Sequence, residues 1–400
     1  MGGLSVVGTA RALSAAVGAA VVGAAGAAGW RFADRVLQPQ RARRPEDDAD
    51  PEAAVRVVAI DDHTVTLTGP AAGWPGRWGL SLSRGYGQVG PGAPGNTDGD
   101  VVRPFRLLTG DPSPGDGVLD AHAWPADPRT LHLPWEDVTY HSPAGVFPAW
   151  RIEPAPSTVP TGTWAVVVHG RGGRRTEGLR YVPTLAAQGL TSLVISYRND
   201  ADAPRSADGL SHLGDTEWQD VEGAVVHALA HGARDLLLVG FSMGGTAVLS
   251  FLRRSAHADA VTGLVLEAPV LQWPPVLWRS AQRAGVPRPL LPVVVPATMA
   301  ISRMRAGIDW RDLDHAGHAG DLRHPLLLVH GAADDHVPVA ASDALARRRP
   351  DLVRYVRVPH AGHVQCWNVD TDGVEAELAG FVSALSTGRR RRARRWRVRT

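Results

Sequence analysis

This 400-residue chain reads as an α/β protein: a mostly parallel sheet with helices on both faces and a lid insertion, preceded by a small β-rich domain and an N-terminal apolar segment. Three observations predict it. Short, continuous apolar runs recur at Trp164–Val168, Leu190–Val194, Asp235–Val239, Val261–Leu266, Leu326–Val329 and Leu352–Val358, as strands covered on both sides require. Helical patterns stand between them, at Asp215–His231 and Met243–Arg253. Ahead of this block, alternating Val55, Val57 and Ala59, the β-style Val65–Thr68, and Gly and Pro crowded over residues 69–99 point to short strands joined by turns.

Taken in order, residues 1–37 carry nineteen consecutive uncharged positions, Ala12–Trp30, long enough to cross a ~30 Å hydrocarbon layer at 1.5 Å per residue. The run is mostly Ala, Gly and Val, which supply little transfer energy. Arg11 alone precedes it, whereas Arg31, Arg35, Arg41, Arg43 and Arg44 follow, so the positive-inside rule favours an anchor with the body in the cytoplasm. Ala27, Ala28 and Gly29 also suit a signal-peptidase site, and a soluble Ala-rich helix or disordered arm is the third reading. Residues 38–51 are polar and Pro-bounded and read as a linker. Residues 52–132 form the β-rich domain, where Trp74, Trp78 and Tyr86 are favoured as core over groove-lining residues. No propeller period appears.

Residues 133–386 are the α/β domain, about 250 residues and a usual size for one domain. The long insertion 269–323, with Trp273, Pro274, Pro275, Trp278 and Met299, reads as a lid of short helices. His315, His318 and His324 within 269–323 lack a Cys or a paired carboxylate to complete a metal set, and surface histidines are the favoured reading. The acids of Asp215–Asp220 suit the positive start of a helix. Residues 387–400 hold eight arginines (Arg389 to Arg392, Arg394, Arg395, Arg397, Arg399) around Trp396. The whole chain is formally +2, so removing those eight charges leaves −6, and the body has no basic face for nucleic acid. The tail either contacts anionic lipid head groups or is simply solvated. A single cysteine, Cys366, excludes an intrachain disulfide and gives no sign of an oxidising compartment.

The chemistry concentrates at strand ends. Gly240-Phe241-Ser242-Met243-Gly244 closes the run Leu236–Val239 and opens a helix, a G-x-S-x-G turn tight enough to lift a strained serine clear of the sheet. The run Trp164–Val168 ends in His169-Gly170-Arg171-Gly172-Gly173, whose glycines allow backbone N–H groups to face a ligand. The N–H groups of Arg171 and Met243 are the candidate oxyanion donors. Asp334 follows strand Leu326–Val329 within His330-Gly331-Ala332-Ala333-Asp334, with Asp335 beside it read as helix-start charge. His363 follows the hinge Gly362 and is the candidate base, with His360 as the alternative. Glu267, at the end of Val261–Leu266, is a less favoured acid.

With the chain order Ser242, Asp334, His363, the sequence resembles the α/β-hydrolase superfamily, in particular dienelactone-hydrolase and prolyl-oligopeptidase-like serine hydrolases. The matching pieces are His169-Gly170, Gly240-Phe241-Ser242-Met243-Gly244-Gly245, His330-Gly331 through Asp334 to Val337-Pro338, and Gly362-His363, with Ile195–Asp200 as a strand exit. The resemblance spans about residues 135–386. It implies an α/β-hydrolase fold and an esterase that uses Ser242 as nucleophile, Asp334 as orienting acid and His363 as base, with no metal and no organic cofactor. A peptidase or amidase would use the same residues, and a non-catalytic, membrane-associated binding protein would need none of them. The expected partner is a small-molecule acyl ester; no specific nucleic acid is expected, and an anionic membrane surface is a candidate contact of the two ends.

Overall fold

The computed structural model describes residues 26–40, 51–95, 99–124 and 127–397, except for the side chains of residues 51 and 388–397. Residues 26–37 form helix α1, so the last positions of the apolar run belong to an ordered helix, while residues 12–25 lie outside the described residues. Among the described residues no helix is long and apolar enough to cross a membrane. The β-rich segment comprises β1 (Ala54–Ile60), β2 (Thr64–Thr68), β3 (Trp78–Leu82), β4 (Gly85–Val89), β5 (Ala93–Pro94), β6 (Val101–Gly110) and β7 (Gly115–Asp120). Their order is β2-β1-β7-β3-β4-β6-β5, and a further β2–β6 pairing closes six antiparallel strands into a barrel, which leaves few free edges.

Alternation fills the barrel: Val55, Val57, Val65, Leu67 and Leu80 point inward and are buried. Trp78 is buried in this core and Trp74 packs on it with ring centroids 4.9 Å apart, while the Tyr86 hydroxyl donates to Asp120. Arg103 is fully buried and donates to the carbonyls of Gly90, Ala72, Trp74 and Gly76, fixing the turn before β3; burial pushes its pKa down to about 10. The barrel is stitched to the larger unit through Asn368. Arg77 N–H donates to its carbonyl at 2.7 Å, and its amide donates to the carbonyls of Arg77 and Ala121 at 3.0 Å each.

The second sheet runs β8 (Trp135–Ser142), β9 (Gly145–Ile152), β10 (Thr163–Val168), β11 (Thr191–Ile195), β12 (Asp235–Phe241), β13 (Val261–Glu267), β14 (Leu326–Gly331) and β15 (Val353–Val358). Its order is β15-β14-β13-β12-β10-β11-β9-β8; β8 and β9 are antiparallel at one edge and the remaining strands are parallel. Helices α2 (Arg175–Gly178), α3 (Val182–Ala187), α4 (Trp218–Ala230), α5 (Met243–Arg254), α6 (Trp273–Arg283), α7 (Leu291–Ala306), α8 (Ala340–Arg348), α9 (Cys366–Val369) and α10 (Thr371–Arg397) connect and cover the strands. Successive strand residues divide between two cores. Val166, Val168 and Leu238 pack with residues of α4 and α5, and Ala165, Val167 and Val239 pack with residues of α3 and α10.

Segment 269–323 folds into α6, α7 and short turns, and much of it is core: Trp273, Leu277, Leu291, Val294 and Ile308 are buried in the same cluster as Phe32, Val36 and Leu37 of α1. The acids at the start of α4 correct the helix-dipole reading. Asp220 is fully buried and bonded to Arg198 at 2.7 Å, and Glu217 accepts the N–H groups of His212 and Gly214, so the α4 entrance is a hydrogen-bonded hub.

Candidate active site

Strand β12 delivers Ser242 into the turn before α5 with φ 49° and ψ −116°, a conformation disfavoured for a residue with a side chain. The surroundings over-determine it. Ser242 N–H donates to the Glu267 carbonyl at 3.0 Å, and the Ser242 carbonyl accepts from Gly245 at 3.1 Å and Val270 at 3.2 Å. A Cβ at Gly244 would lie 2.4 Å from the Val168 carbonyl oxygen, and one at Gly240 would lie 2.8 Å from Gly245. Only glycine lets α5 approach β10 this closely.

Ser242 Oγ lies 2.9 Å from His363 Nε2, and His363 Nδ1 lies 2.8 Å from Asp334 Oδ2. With Nδ1–H donated to the carboxylate, Nε2 is left to accept from the serine hydroxyl. Asp334 is buried after β14. Its Oδ1 accepts the N–H groups of His336 and Val337, and the buried His330 stands 3.2 Å from Oδ2. Burial raises its pKa, but His363, the bond from His330 and the Val337 N–H outweigh that and hold the carboxyl well below the usual range. His336 stacks on His363 with centroids 5.3 Å apart and planes 14° from parallel; burial and the nearby His363 and Arg283 push its pKa down.

The two sequence alternatives fall elsewhere. His360 is exposed on the turn after β15. Glu267 is fully buried and accepts from the Tyr181 hydroxyl at 2.8 Å and Cys366 N–H at 3.0 Å. Arg180, equally buried, stacks over Trp124 at 4.2 Å and donates to the Val364 carbonyl at 2.9 Å. Arg180 and Glu267 therefore brace the chain on the C-terminal side of His363, where Val364 has φ 55°. Sequence reading missed Arg180 and Tyr181, since α2 and α3 are too short to give a periodic signal. Cys366 is buried, and burial and Glu267 push its thiol pKa well up, consistent with a packing residue.

Arg171 and Met243 both line a cleft of about 20 Å³ walled by Tyr197, Arg198 and Glu217, which Ser242 and His363 do not line. The loop that carries Arg171 is fixed around it. Gly170 N–H donates to Glu177 Oε2 at 2.8 Å, and the Gly170 carbonyl accepts from Tyr197 Oη at 3.0 Å and Gly173 N–H at 3.0 Å. His169 is buried and bonded to Asp200 at 2.8 Å, which joins the loop to the β11 exit. On the opposite flank, Arg279 of α6 donates to the Asp334 carbonyl and Arg283 pairs with Asp335.

Among the described residues, the one cluster spaced for a metal is Asp334, Asp335 and His336, and its atoms already bond one another and His363. His315 corrects the surface reading. It is buried, neither ring nitrogen has a hydrogen-bond partner among the described residues, and burial together with Arg253 pushes its pKa down to about 3. An unfolded histidine takes up a proton near pH 6.5 while the folded one stays neutral, so this site removes stability as pH falls from 6.5 toward 3. His315→Leu is expected to flatten the urea midpoint between pH 7 and 5, by at most about 1.4 kcal/mol per pH unit. Equal slopes in the two proteins would count against it.

In backbone shape the chain is similar to the esterase Pf2001 of Pyrococcus furiosus, at 18% identity and a TM-score of 0.51 over 65% of this chain and 95% of that one. A second crystal form of the same esterase gives 17%, 0.50, 65% and 96%. Residues 56–120 match a family model described as a domain of unknown function, DUF8805. No curated protein matches the chain in sequence. The chain has the α/β-hydrolase fold, with an antiparallel β-barrel joined to its N-terminal side.

Proposed function

We propose that the protein is a serine hydrolase cleaving carboxylic esters or related acyl substrates. The observation that carries this reading is the continuous relay from Ser242 Oγ through His363 to the buried Asp334 carboxylate, set at a strained turn. Ser242 Oγ attacks the acyl carbonyl as His363 Nε2 takes its proton. The N–H groups of Arg171 and Met243 receive the oxyanion, each donor worth about 3 kcal/mol in the transition state. Collapse breaks the ester C–O bond, and the alcohol leaves with the proton from His363. Water, deprotonated by the same nitrogen, then attacks the acyl-serine and the acid departs.

A peptidase would need a charged anchor for the substrate backbone or terminus. The two α6 arginines nearest the relay are engaged by Asp334 and Asp335, which favours esters. The test is labelling with a fluorophosphonate probe, expected in wild type and lost in Ser242→Ala, followed by kcat/KM on p-nitrophenyl acetate and the matching anilide. Esters are expected to be at least about 100-fold faster, because an amine leaving group must be protonated as it departs. Comparable constants would transfer the proposal to a peptidase, and labelling that persists in Ser242→Ala would end it.

A further inference from the structure

Helix α1 is built into the body beside the Arg171 loop. Ala33 and Leu37 are fully buried and Phe32 and Val36 nearly so, and Phe32, Val36 and Leu37 pack in the core shared with α7. Gly29 permits the crossing, since a Cβ there would lie 2.8 Å from Ala297 Cβ. Thr298 donates to the Gly29 carbonyl, Arg305 pairs with Asp34, and the same guanidinium lies 5.0 Å from the Trp30 ring.

The end of α1 meets the loop directly. The last carbonyls of a helix lack partners within it and carry its negative pole. Here Arg171 Nη2 satisfies them, donating to Val36 at 2.6 Å, Gln38 at 2.9 Å and Arg35 at 3.3 Å, while Ser211 N–H donates to Leu37 at 2.8 Å. Pro39 and Gln40 then run on to wall the small cleft shared by Arg171 and Met243. Glu177, Tyr197 and Gly173 hold the loop through its glycine backbone, and α1 holds it through the one long side chain between them.

We propose that α1 is a positioning element of the active site: by gripping the Arg171 guanidinium it fixes the backbone N–H of Arg171 where the oxyanion develops. This rests on the hydrolase reading. A displaced oxyanion donor weakens transition-state binding more than substrate binding, so loosening α1 lowers kcat and leaves KM nearly unchanged. The state of the N-terminal segment is thereby coupled to turnover.

The full chain is assayed with p-nitrophenyl acetate, with active sites counted by fluorophosphonate titration so that unfolded protein is not scored. Arg171→Met keeps the stem and removes the donors, Arg171→Lys keeps one charged donor group, and Gly29→Leu forces α1 from α7 at a distance from the loop. Arg171→Met and Gly29→Leu are expected to lower kcat per titrated site about tenfold or more, with KM within about threefold. Arg171→Lys is expected to recover part of the loss, and affinity for a boronic acid transition-state analogue is expected to fall in parallel with kcat. A purely structural role would lower the urea midpoint and leave kcat per site intact. Unchanged kcat per site in Arg171→Met, whatever Gly29→Leu does, overturns the proposal. Failure of the underlying reading is separate, because it shows as wild-type turnover that survives in Ser242→Ala.

Discussion

Ser242→Ala, His363→Ala and Asp334→Asn are each expected to lower kcat for p-nitrophenyl acetate by about 10⁴-fold or more, as measured by initial rates on folded protein. The losses arise differently. Alanine at 242 removes the proposed nucleophile, and alanine at 363 leaves the hydroxyl without the imidazole acceptor at 2.9 Å. Asparagine at 334 keeps the shape but presents a neutral amide to His363 Nδ1, and its NH2 group competes with His330 for the same space. The imidazole is then free to take the tautomer that cannot accept the serine proton. The three effects are not additive, since the groups act as one unit, and the double variant Ser242→Ala, His363→Ala is expected to be no worse than either parent. His360→Ala is the contrast: an exposed side chain outside the relay, it is expected to leave kcat within about threefold. Loss of activity in His360→Ala with retention in His363→Ala would reverse the assignment of the base.

Gly244→Ala is expected to abolish most activity and lower stability by about 3 kcal/mol or more, read as the urea midpoint and as fluorophosphonate labelling. One methyl group has this effect because of what it meets. The added carbon would lie 2.4 Å from the Val168 carbonyl oxygen and 2.5 Å from that of His169. Both belong to backbone that cannot swing away like a side chain, so α5 must separate from β10, and that movement displaces Ser242 and the Arg171 loop together. The mirror case is Gly320, with nothing within 4 Å of an added carbon, where alanine is expected to be nearly neutral. A Gly244→Ala protein with wild-type midpoint and turnover would mean the turn is far less confined than these distances require.

The strands that carry the site are legible in the sequence because each is covered on both sides, so its residues are apolar without interruption. Hairpin β8–β9 escapes that reading: it lies at the sheet edge, where β8 is largely solvent-facing and polar residues such as Glu136 and Asp137 break the run. Barrel closure escapes it as well, since pairing β2 with β6 joins residues 64–67 to 101–104, and no local pattern announces a long-range contact. The acids of α4 mislead for a related reason. Asp220 at a helix start has an ordinary local explanation, and only the fold brings Arg198 to within 2.7 Å of it.

The sequence by itself determined the α/β class, the order of Ser242, Asp334 and His363, and the glycines that shape the turns, because strand periodicity and tight-turn sterics act over a few residues. The tertiary structure alone decided that His363 rather than His360 reaches the serine, that Glu267 and Arg180 brace the histidine loop, that His315 is buried with no hydrogen-bond partner among the described residues, and that α1 ends on Arg171. Each of these depends on residues from 86 to 184 positions apart, or on a side chain's burial, meeting in space. Such meetings are set by the packing of whole elements, and neither composition nor spacing encodes them.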